Sequence, residues 1–275
     1  MVNLGPILDH LPAWLMVLFR LSGIFLLSPV LGSTAIPRMV KVFLVLGLSL
    51  CVYPMLLTTA AAASVTSLID LGVTGGQADG LWSLGAVVAT ELLVGYAVGY
   101  CATLPLVGMQ MGGHLIDQQM GISAGGVFNP ELDSEAGVTG QLLFMIGLAV
   151  FLIVGGHHAV FTTLVGSFES IPLAMVGREG PPIEALLDLV LGLLTVMIEL
   201  SLRVAAPVLC ILFLMRVAMG FIGRTVPQMN ILSVGFIFYI LAGLTTVIVG
   251  IETAVRVYRG SLLETLNQVG GIFTM

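Results

Sequence analysis

The chain has 275 residues, of which 58% are hydrophobic and 9% charged, with 9 Lys or Arg against 15 Asp or Glu and a net charge of −6. Soluble domains carry about 25% charged residues, so this chain cannot cover itself with polar surface, and disordered chains need the opposite composition. The negative charge, without any cluster of Lys or Arg, excludes a nucleic-acid binder. The composition predicts an integral membrane protein.

Six apolar segments are long enough to cross a bilayer, which takes about 18 residues or more. In chain order they are residues 11–31, 39–63, 81–109, 138–165, 185–215 and 231–255. None shows the alternation of strands separated by regular turns, so we predict an all-α protein. The first charge is Asp9 and no basic residue precedes it, so we expect no cleavable signal peptide.

The basic residues do not fix an orientation in the membrane. If the six segments were simple alternating spans, one side would hold four Lys or Arg and the other three, too small a difference for the positive-inside rule. The near tie indicates that some segments are half-hairpins or lie inside an assembly.

The connection at residues 110–137 is the least regular part of the sequence. It is rich in glycine, has three acidic residues after Pro130 (Glu131, Asp133 and Glu135), and contains no Lys or Arg. Glycine disfavours helix, and irregular backbone beside a membrane helix has to be shielded by protein or line a water-filled cavity. We therefore expect a non-helical loop here. Met109, Met111 and Met120 bracket it, and such flexible side chains either fill a core or seal a pore.

A Pro-containing break at residues 223–230 separates the last two apolar segments, which are therefore predicted to form a helical hairpin.

In the fifth segment, Glu199 and Arg203 stand at i,i+4, the spacing of a local ion pair on a helix; an ion relay is the alternative. Arg20 and Glu91 have no local partner, so each is expected to pair with another segment or subunit. Gly95 and Gly99 form a small-xxx-small pair, typical of helix packing.

The sequence contains no known catalytic motif: HExxH, GxSxG, the P-loop and a helix-opening GxGxxG are all missing. His157 and His158 have no further ligand at metal-binding spacing and are expected at a polar turn or helix start. We predict no catalytic residue, metal or cofactor. A secondary transporter coupled to protons through Glu91, Asp188 or Glu199 is the alternative function.

Motifs spread in order over most of the chain point to one family. They are residues 20–30 (RLSGIFLLSPV), 110–112 (QMG), 117–121 (DQQMG), 156–158 (GHH) and 224–236 (RTVPQMNILSVGF). With them the chain resembles the FliR family of export-gate proteins, which includes SctT-like members of virulence type III secretion systems. The most specific part is Pro227, Gln228, Met229 and Asn230. Relatives commonly continue with Pro and a basic residue after Phe236, and this chain does not.

The resemblance implies a fold like a fusion of the FliP and FliQ folds. Residues 1–184 would be a FliP-like helical region, including a central plug loop at about residues 110–137, and residues 185–275 a FliQ-like helical hairpin and tail. It also implies a non-enzymatic subunit of the flagellar type III protein export gate, through which unfolded flagellar substrates pass. The implied location is the bacterial inner membrane, in the flagellar basal body.

The implied partners are FliP-like and FliQ-like export-gate proteins and an FlhB-like switch protein. By position, the channel plug of the family corresponds to about residues 116–127, with Met109 and Met111 as a candidate gate seal. The plug residues implied are Ile116, Asp117, Gln118, Gln119, Met120, Gly121, Ile122 and Ser123. The residues at 233–236 (SVGF) favour a flagellar over a virulence-type system.

Overall fold

The structure is a computed structural model that describes residues 5–33, 36–58, 78–122, 137–171, 173, 183–225 and 231–274. These residues form seven helices, numbered here in chain order. They are α1 (Gly5–Leu27), α2 (Arg38–Thr58), α3 (Ala78–Met120), α4 (Val138–Ile153), α5 (Gly156–Ser170), α6 (Ile183–Thr225) and α7 (Ile231–Thr274). The described ranges contain no β-strand, and the prediction of an all-α protein is confirmed.

Five of the described helices, α1, α2, α3, α6 and α7, are long and apolar enough to cross a membrane. Helices α4 and α5 together make a sixth candidate, bent by 63° at the break between them. The bend lies at Gly155, whose φ of 78° is in the left-handed region that glycine adopts without strain. His157 and His158 follow in the first turn of α5 and are exposed. The prediction of an integral membrane protein is confirmed.

Helices α3, α6 and α7 are longer than the sequence predicts, with 43, 43 and 44 residues. At a rise of 1.5 Å per residue each is about 65 Å long, roughly twice the ~30 Å hydrocarbon core of a bilayer. These three helices therefore extend beyond a single membrane crossing.

The expectation of irregular backbone from residue 110 onward is wrong for residues 110–120, which form the last turns of α3. The glycines in these turns serve close packing. A Cβ atom at Gly112 would lie 2.9 Å from the Ser201 carbonyl oxygen, and one at Gly113 would lie 2.6 Å from the Gly140 Cα. Contacts with α6 and α4 thus outweigh the low helix propensity of glycine.

The helices pack into two compact units that alternate along the chain. Unit 1 comprises residues 1–103, 155–191 and 264–275, and unit 2 comprises residues 104–154 and 192–263. Helices α3, α6 and α7 each contribute to both units. The predicted FliP-like and FliQ-like regions, residues 1–184 and 185–275, are defined by resemblance to other proteins, whereas the two units are defined by contacts within this chain. The predicted boundary between residues 184 and 185 therefore stays a prediction.

In unit 2, α6 and α7 pack together through an apolar cluster that includes Val208, Leu212 and Val247. The residues in contact lie at similar distances from the connection at residues 226–230, as in an antiparallel helical hairpin. That connection, which carries Pro227, Gln228, Met229 and Asn230, lies outside the described residues.

Candidate functional site

A buried arginine joins three helices of unit 1. Arg20, in α1, is fully buried, and its Nε donates to Glu91 Oε2 of α3 at 2.6 Å. Its Nη1 donates to the Ser167 carbonyl oxygen at 3.0 Å and its Nη2 to the Ile171 carbonyl oxygen at 3.0 Å. The guanidinium carbon also lies 4.4 Å from the centre of the Phe168 ring. The partners expected for Arg20 and Glu91 in another segment are thus present within this chain.

Arg20 meets two physical requirements at once. The last carbonyl groups of a helix have no partner within the helix, and they carry partial negative charge. Arg20 donates to the Ser167 and Ile171 carbonyls at the end of α5, where the Ser167 carbonyl oxygen also accepts the Ile171 N–H at 2.9 Å, and Glu91 balances the positive charge of Arg20. An unpaired arginine at membrane depth costs several kcal/mol, so this arrangement lets a charge and a helix end lie inside an apolar protein.

The paired glycines of α3 lie where α1 crosses it. A Cβ atom at Gly95 would overlap the Arg20 carbonyl oxygen, and one at Gly99 would lie 3.2 Å from the Ile24 carbonyl oxygen. This close approach holds the backbone of α1 next to Glu91, only one helical turn from Gly95, and so sets the position of the Arg20 ion pair.

Helix α3 ends at a glycine cap. Gly121 has a φ of 82°, in the left-handed region. Its N–H donates to the Gln118 carbonyl oxygen, and the Ile122 N–H donates to the Asp117 carbonyl oxygen, both at 3.2 Å. This pair of bonds is the Schellman motif, which satisfies the last carbonyl groups of a helix. Gly121 is therefore the residue that ends α3.

The carboxylate of Asp117 lies at the N-terminus of α4. Its Oδ1 accepts a hydrogen bond from the Thr139 N–H at 3.3 Å and its Oδ2 one from the Gly140 N–H at 3.0 Å. These are the amides that an N-cap side chain normally satisfies. The N-cap residue of α4 is Gly137, which makes no side-chain cap bond. Asp117, 1% exposed, therefore caps α4 from a different helix.

Arg216 of α6 belongs to none of the sequence motifs, and its side chain reaches the C-terminal end of α3. Its Nη2 donates to the Gln119 carbonyl oxygen at 2.7 Å, in the last turn of α3. Its guanidinium carbon lies 5.7 Å from the centre of the Tyr239 ring in α7. A cation at a helix C-terminus is favourable. The only available signal was that Arg216 interrupts an otherwise apolar run.

The predicted plug residues fall into three groups. Ile116, Asp117 and Met120 are buried, and Ile116 and Met120 belong to the apolar cluster of unit 2 with Val208. Gln118 is exposed, whereas Gln119, Gly121 and Ile122 are half-buried. Ser123 and the rest of the predicted plug, to residue 127, lie outside the described residues. The described part of the predicted plug is thus a packed helix end and turn.

The two methionines predicted as a gate seal differ in exposure. Met109 is fully buried, and a Cβ atom at Gly147 of α4 would lie 3.2 Å from its Sδ. Met111 is 47% exposed. The structure therefore favours a packing role for Met109, and of the two methionines Met111 is the exposed one.

Two further ion pairs lie on the exposed faces of α6 and α7. Glu199 and Arg203 are 2.5 Å apart and Glu252 and Arg256 are 2.8 Å apart, each pair at i,i+4 spacing and more than half exposed. The apolar stretches of these helices are only 22% and 17% buried. Charges exposed to hydrocarbon are unfavourable, so these faces require either water or another protein.

Among the described residues, no cluster of three or more His, Cys, Asp or Glu suits a metal ion.

Comparison with known proteins gives the family. The family model of the bacterial export proteins, family 1, matches residues 11–265, nearly the whole chain. The chain belongs to this family. The resemblance predicted from its motifs is therefore confirmed, and the chain is a bacterial export protein.

Relatives of this export protein come from two kinds of system. It is similar to flagellar biosynthetic protein FliR of Bacillus subtilis (strain 168), with 26% identity over 274 residues, 99% of this chain and 98% of the relative. FliR of Escherichia coli (strain K12) is 27% identical over 229 residues, 83% of this chain and 80% of the relative. The secretion system apparatus protein SsaT of Salmonella typhimurium is 25% identical over 145 residues, 53% of this chain and 55% of the relative. Their names refer to flagellar biosynthesis and to a secretion apparatus, not to a catalysed reaction.

Proposed function

We propose that this export protein is a non-enzymatic structural subunit of the flagellar type III export gate in the bacterial inner membrane. The observation that carries the proposal is the family match over residues 11–265, together with a flagellar relative aligned over 99% of the chain. The secretion-apparatus relative aligns over only 53% of the chain. This difference favours a flagellar over a virulence-type system.

The proposed partners are FliP-like and FliQ-like gate proteins and an FlhB-like switch protein, which together with this chain surround a channel for unfolded flagellar substrates. The exposed ion pairs of α6 and α7 support the proposal, because such helix faces need a cover other than lipid. The hairpin of α6 and α7 is the part proposed to resemble FliQ, and residues 1–184 the part proposed to resemble FliP.

The proposed plug includes the end of α3 and continues to about residue 127, with Met111 as the accessible residue of the seal. The exposure of Gln118 and the end of α3 at Gly121 support this, because the helix stops within the segment assigned to the plug and one of its last residues is exposed. Ile116, Asp117 and Met120 would then be the anchor of the plug.

Complementation tests the function. In a flagellated bacterium lacking its own export protein of this family, expression of this chain should restore swimming and the secretion of flagellar subunits. Affinity purification of the tagged chain should recover the FliP-like and FliQ-like proteins. Wild-type expression without export and without co-purifying partners would contradict the proposal.

A shortened plug tests the channel role. Because Ile116 and Met120 are core residues, only residues 123–127 are removed. Cells with the complete apparatus should then become permeable to a small ion, measured as ion leak in the absence of exported substrate. Replacing the same five residues with a Gly-Ser segment of equal length is the control for chain length. Unchanged impermeability of the shortened protein would argue against a plug.

The transporter alternative gains no support from the described residues. Of its three acids, Glu91 is bound to Arg20 and Glu199 to Arg203, and Asp188 is exposed on α6, so none of them is a buried acid without a cationic partner. The purified chain in liposomes should show no proton-coupled uptake.

A further inference from the structure

Two charged side chains bind the end of α3 and the start of α4, the two helix ends that residues 123–136 connect in the chain. Asp117 of α3 accepts hydrogen bonds from Thr139 and Gly140 at the start of α4. Arg216 of α6 donates one to Gln119 at the end of α3. We call Asp117 and Arg216 the cap pair. All of these residues belong to unit 2.

Each member of the cap pair has the charge that its helix end favours. The N-terminus of a helix carries partial positive charge and the C-terminus partial negative charge. The carboxylate of Asp117 therefore suits α4, and the guanidinium of Arg216 suits α3. Both charges come from a different helix, so each one caps a helix and also fixes the position of its neighbour.

The N-cap residue of α4 has no side chain that could compete with Asp117 for the first amides of the helix. A local N-cap would be Ser, Thr, Asp or Asn, but the N-cap position holds Gly137, with a φ of −52°. That φ is available to any residue, so the need for glycine is one of space. A Cβ atom there would overlap the Asp117 carboxylate. Gly137 thus leaves room for the Asp117 carboxylate, which any larger residue at this position would displace.

We propose that the cap pair holds the end of α3 against α4 and α6 when the gate is closed, so that opening requires these two charge–helix contacts to break. The inference rests on the proposed export-gate function and adds residues that set its resting conformation. In it, Asp117 and Arg216 are positioning residues and neither needs to contact an exported substrate.

Hydrogen exchange tests the contacts in the complex purified with its co-expressed partners. In Asp117→Asn, one of the two acceptor oxygens becomes an NH2 group, so one cap hydrogen bond and the negative charge are lost while side-chain volume is kept, and the amides of Thr139 and Gly140 should exchange about tenfold faster. Asp188→Asn makes the same chemical change at an exposed aspartate of α6 and should leave these amides unchanged. Unchanged exchange in Asp117→Asn would overturn the inference.

A second variant disturbs the cap without removing the carboxylate. In Gly137→Ala, the added methyl group should displace Asp117 and produce the same faster exchange. Gly220→Ala is its control, since a Cβ atom there has no neighbour within 4 Å. In Arg216→Gln, the amides of Gly121 and Ile122 should exchange faster, and Arg216→Lys should show a smaller effect because it keeps the charge.

Ion leak through the assembled apparatus then tests the role of the contacts. Cells carrying Asp117→Asn or Gly137→Ala should leak ions without exporting substrate, whereas the two controls should not. Faster exchange without any leak would show that the cap pair does not hold the gate closed, and would overturn the inference. If the wild-type chain assembles with its partners but does not restore export, the proposed function fails, and the exchange result on that complex still decides whether Asp117 caps α4.

Discussion

Arg20 and Glu91 show how single residues place charge inside this apolar protein. The three nitrogen atoms of the guanidinium each donate a hydrogen bond, to Glu91, Ser167 and Ile171. Breaking one side of such a buried pair leaves an uncompensated charge, which costs more than the intact pair contributes. The importance of each residue therefore depends on its partner.

Glu91→Gln should lower the stability of the purified complex by about 3–5 kcal/mol, because Arg20 stays buried without its counter-charge. Thermal unfolding followed by circular dichroism in detergent measures the change. Glu169→Gln, at an exposed glutamate of α5 in the same unit, is the matched control and should cost less than about 0.5 kcal/mol. Equal effects of the two substitutions would mean that the buried ion pair of Arg20 and Glu91 has no special importance for stability.

At the scale of helices, the approach of α1 to α3 depends on glycine. Any side chain at Gly95 would meet the backbone of Arg20, and backbone cannot move aside as the end of a flexible side chain can. The same residue type has no such role at Gly166 of α5, where a Cβ atom would have no neighbour within 4 Å. Gly95 is therefore required for the packing of α1 against α3, whereas Gly166 is not required for any helix contact.

Gly95→Ala should destabilise the protein by at least about 1–3 kcal/mol, the usual cost of overpacking. Gly166→Ala should be neutral or stabilising by up to about 1 kcal/mol, because alanine favours helix over glycine. Melting temperatures of the two variants, purified side by side with their partners, decide between these outcomes. A Gly95→Ala protein as stable as Gly166→Ala would contradict the close contact between α1 and α3.

The sequence was sufficient to predict an all-α protein and the approximate positions of its apolar helices, because hydrophobic segments of membrane-spanning length are a local property. It did not predict the break at Gly155 or the full length of α3, α6 and α7. It failed at residues 110–120, where Gly112 and Gly113 have low helix propensity but pack against Ser201 and Gly140. The roles of Asp117 and Arg216 could not be predicted either, because they too depend on contacts between different helices. Their targets lie on other helices, and such proximity is not visible in spacing along the chain.

For the whole molecule, exposed apolar surface and exposed ion pairs occur on the same helices. Large apolar side chains such as Phe213, Phe221 and Val249 are 65–78% exposed on α6 and α7, the helices that also carry the exposed pairs formed by Glu199 and Glu252. Lipid suits the first kind of surface but not the second. Protein partners suit both, because an interface can provide apolar contact and hydrogen bonds together.

The chain expressed alone should therefore be polydisperse in detergent, and it should become monodisperse when it is co-expressed with its FliP-like and FliQ-like partners. Size-exclusion chromatography with light scattering measures this difference. A control co-expression with an unrelated membrane protein should bring no improvement. A stable, monodisperse monomer of the chain alone would contradict the need for partners.

The contacts of Arg20 also have a consequence for biogenesis. Arg20 and Ser167 are separated by 147 positions in the chain. At a synthesis rate of about 5–20 residues per second, roughly 7 to 30 s pass between the two residues leaving the ribosome. During that interval the nascent chain carries a cation whose final carbonyl partners do not yet exist. Correct insertion thus depends on the translocon, or on an insertase beside it, sheltering the first helix until the fifth has been made.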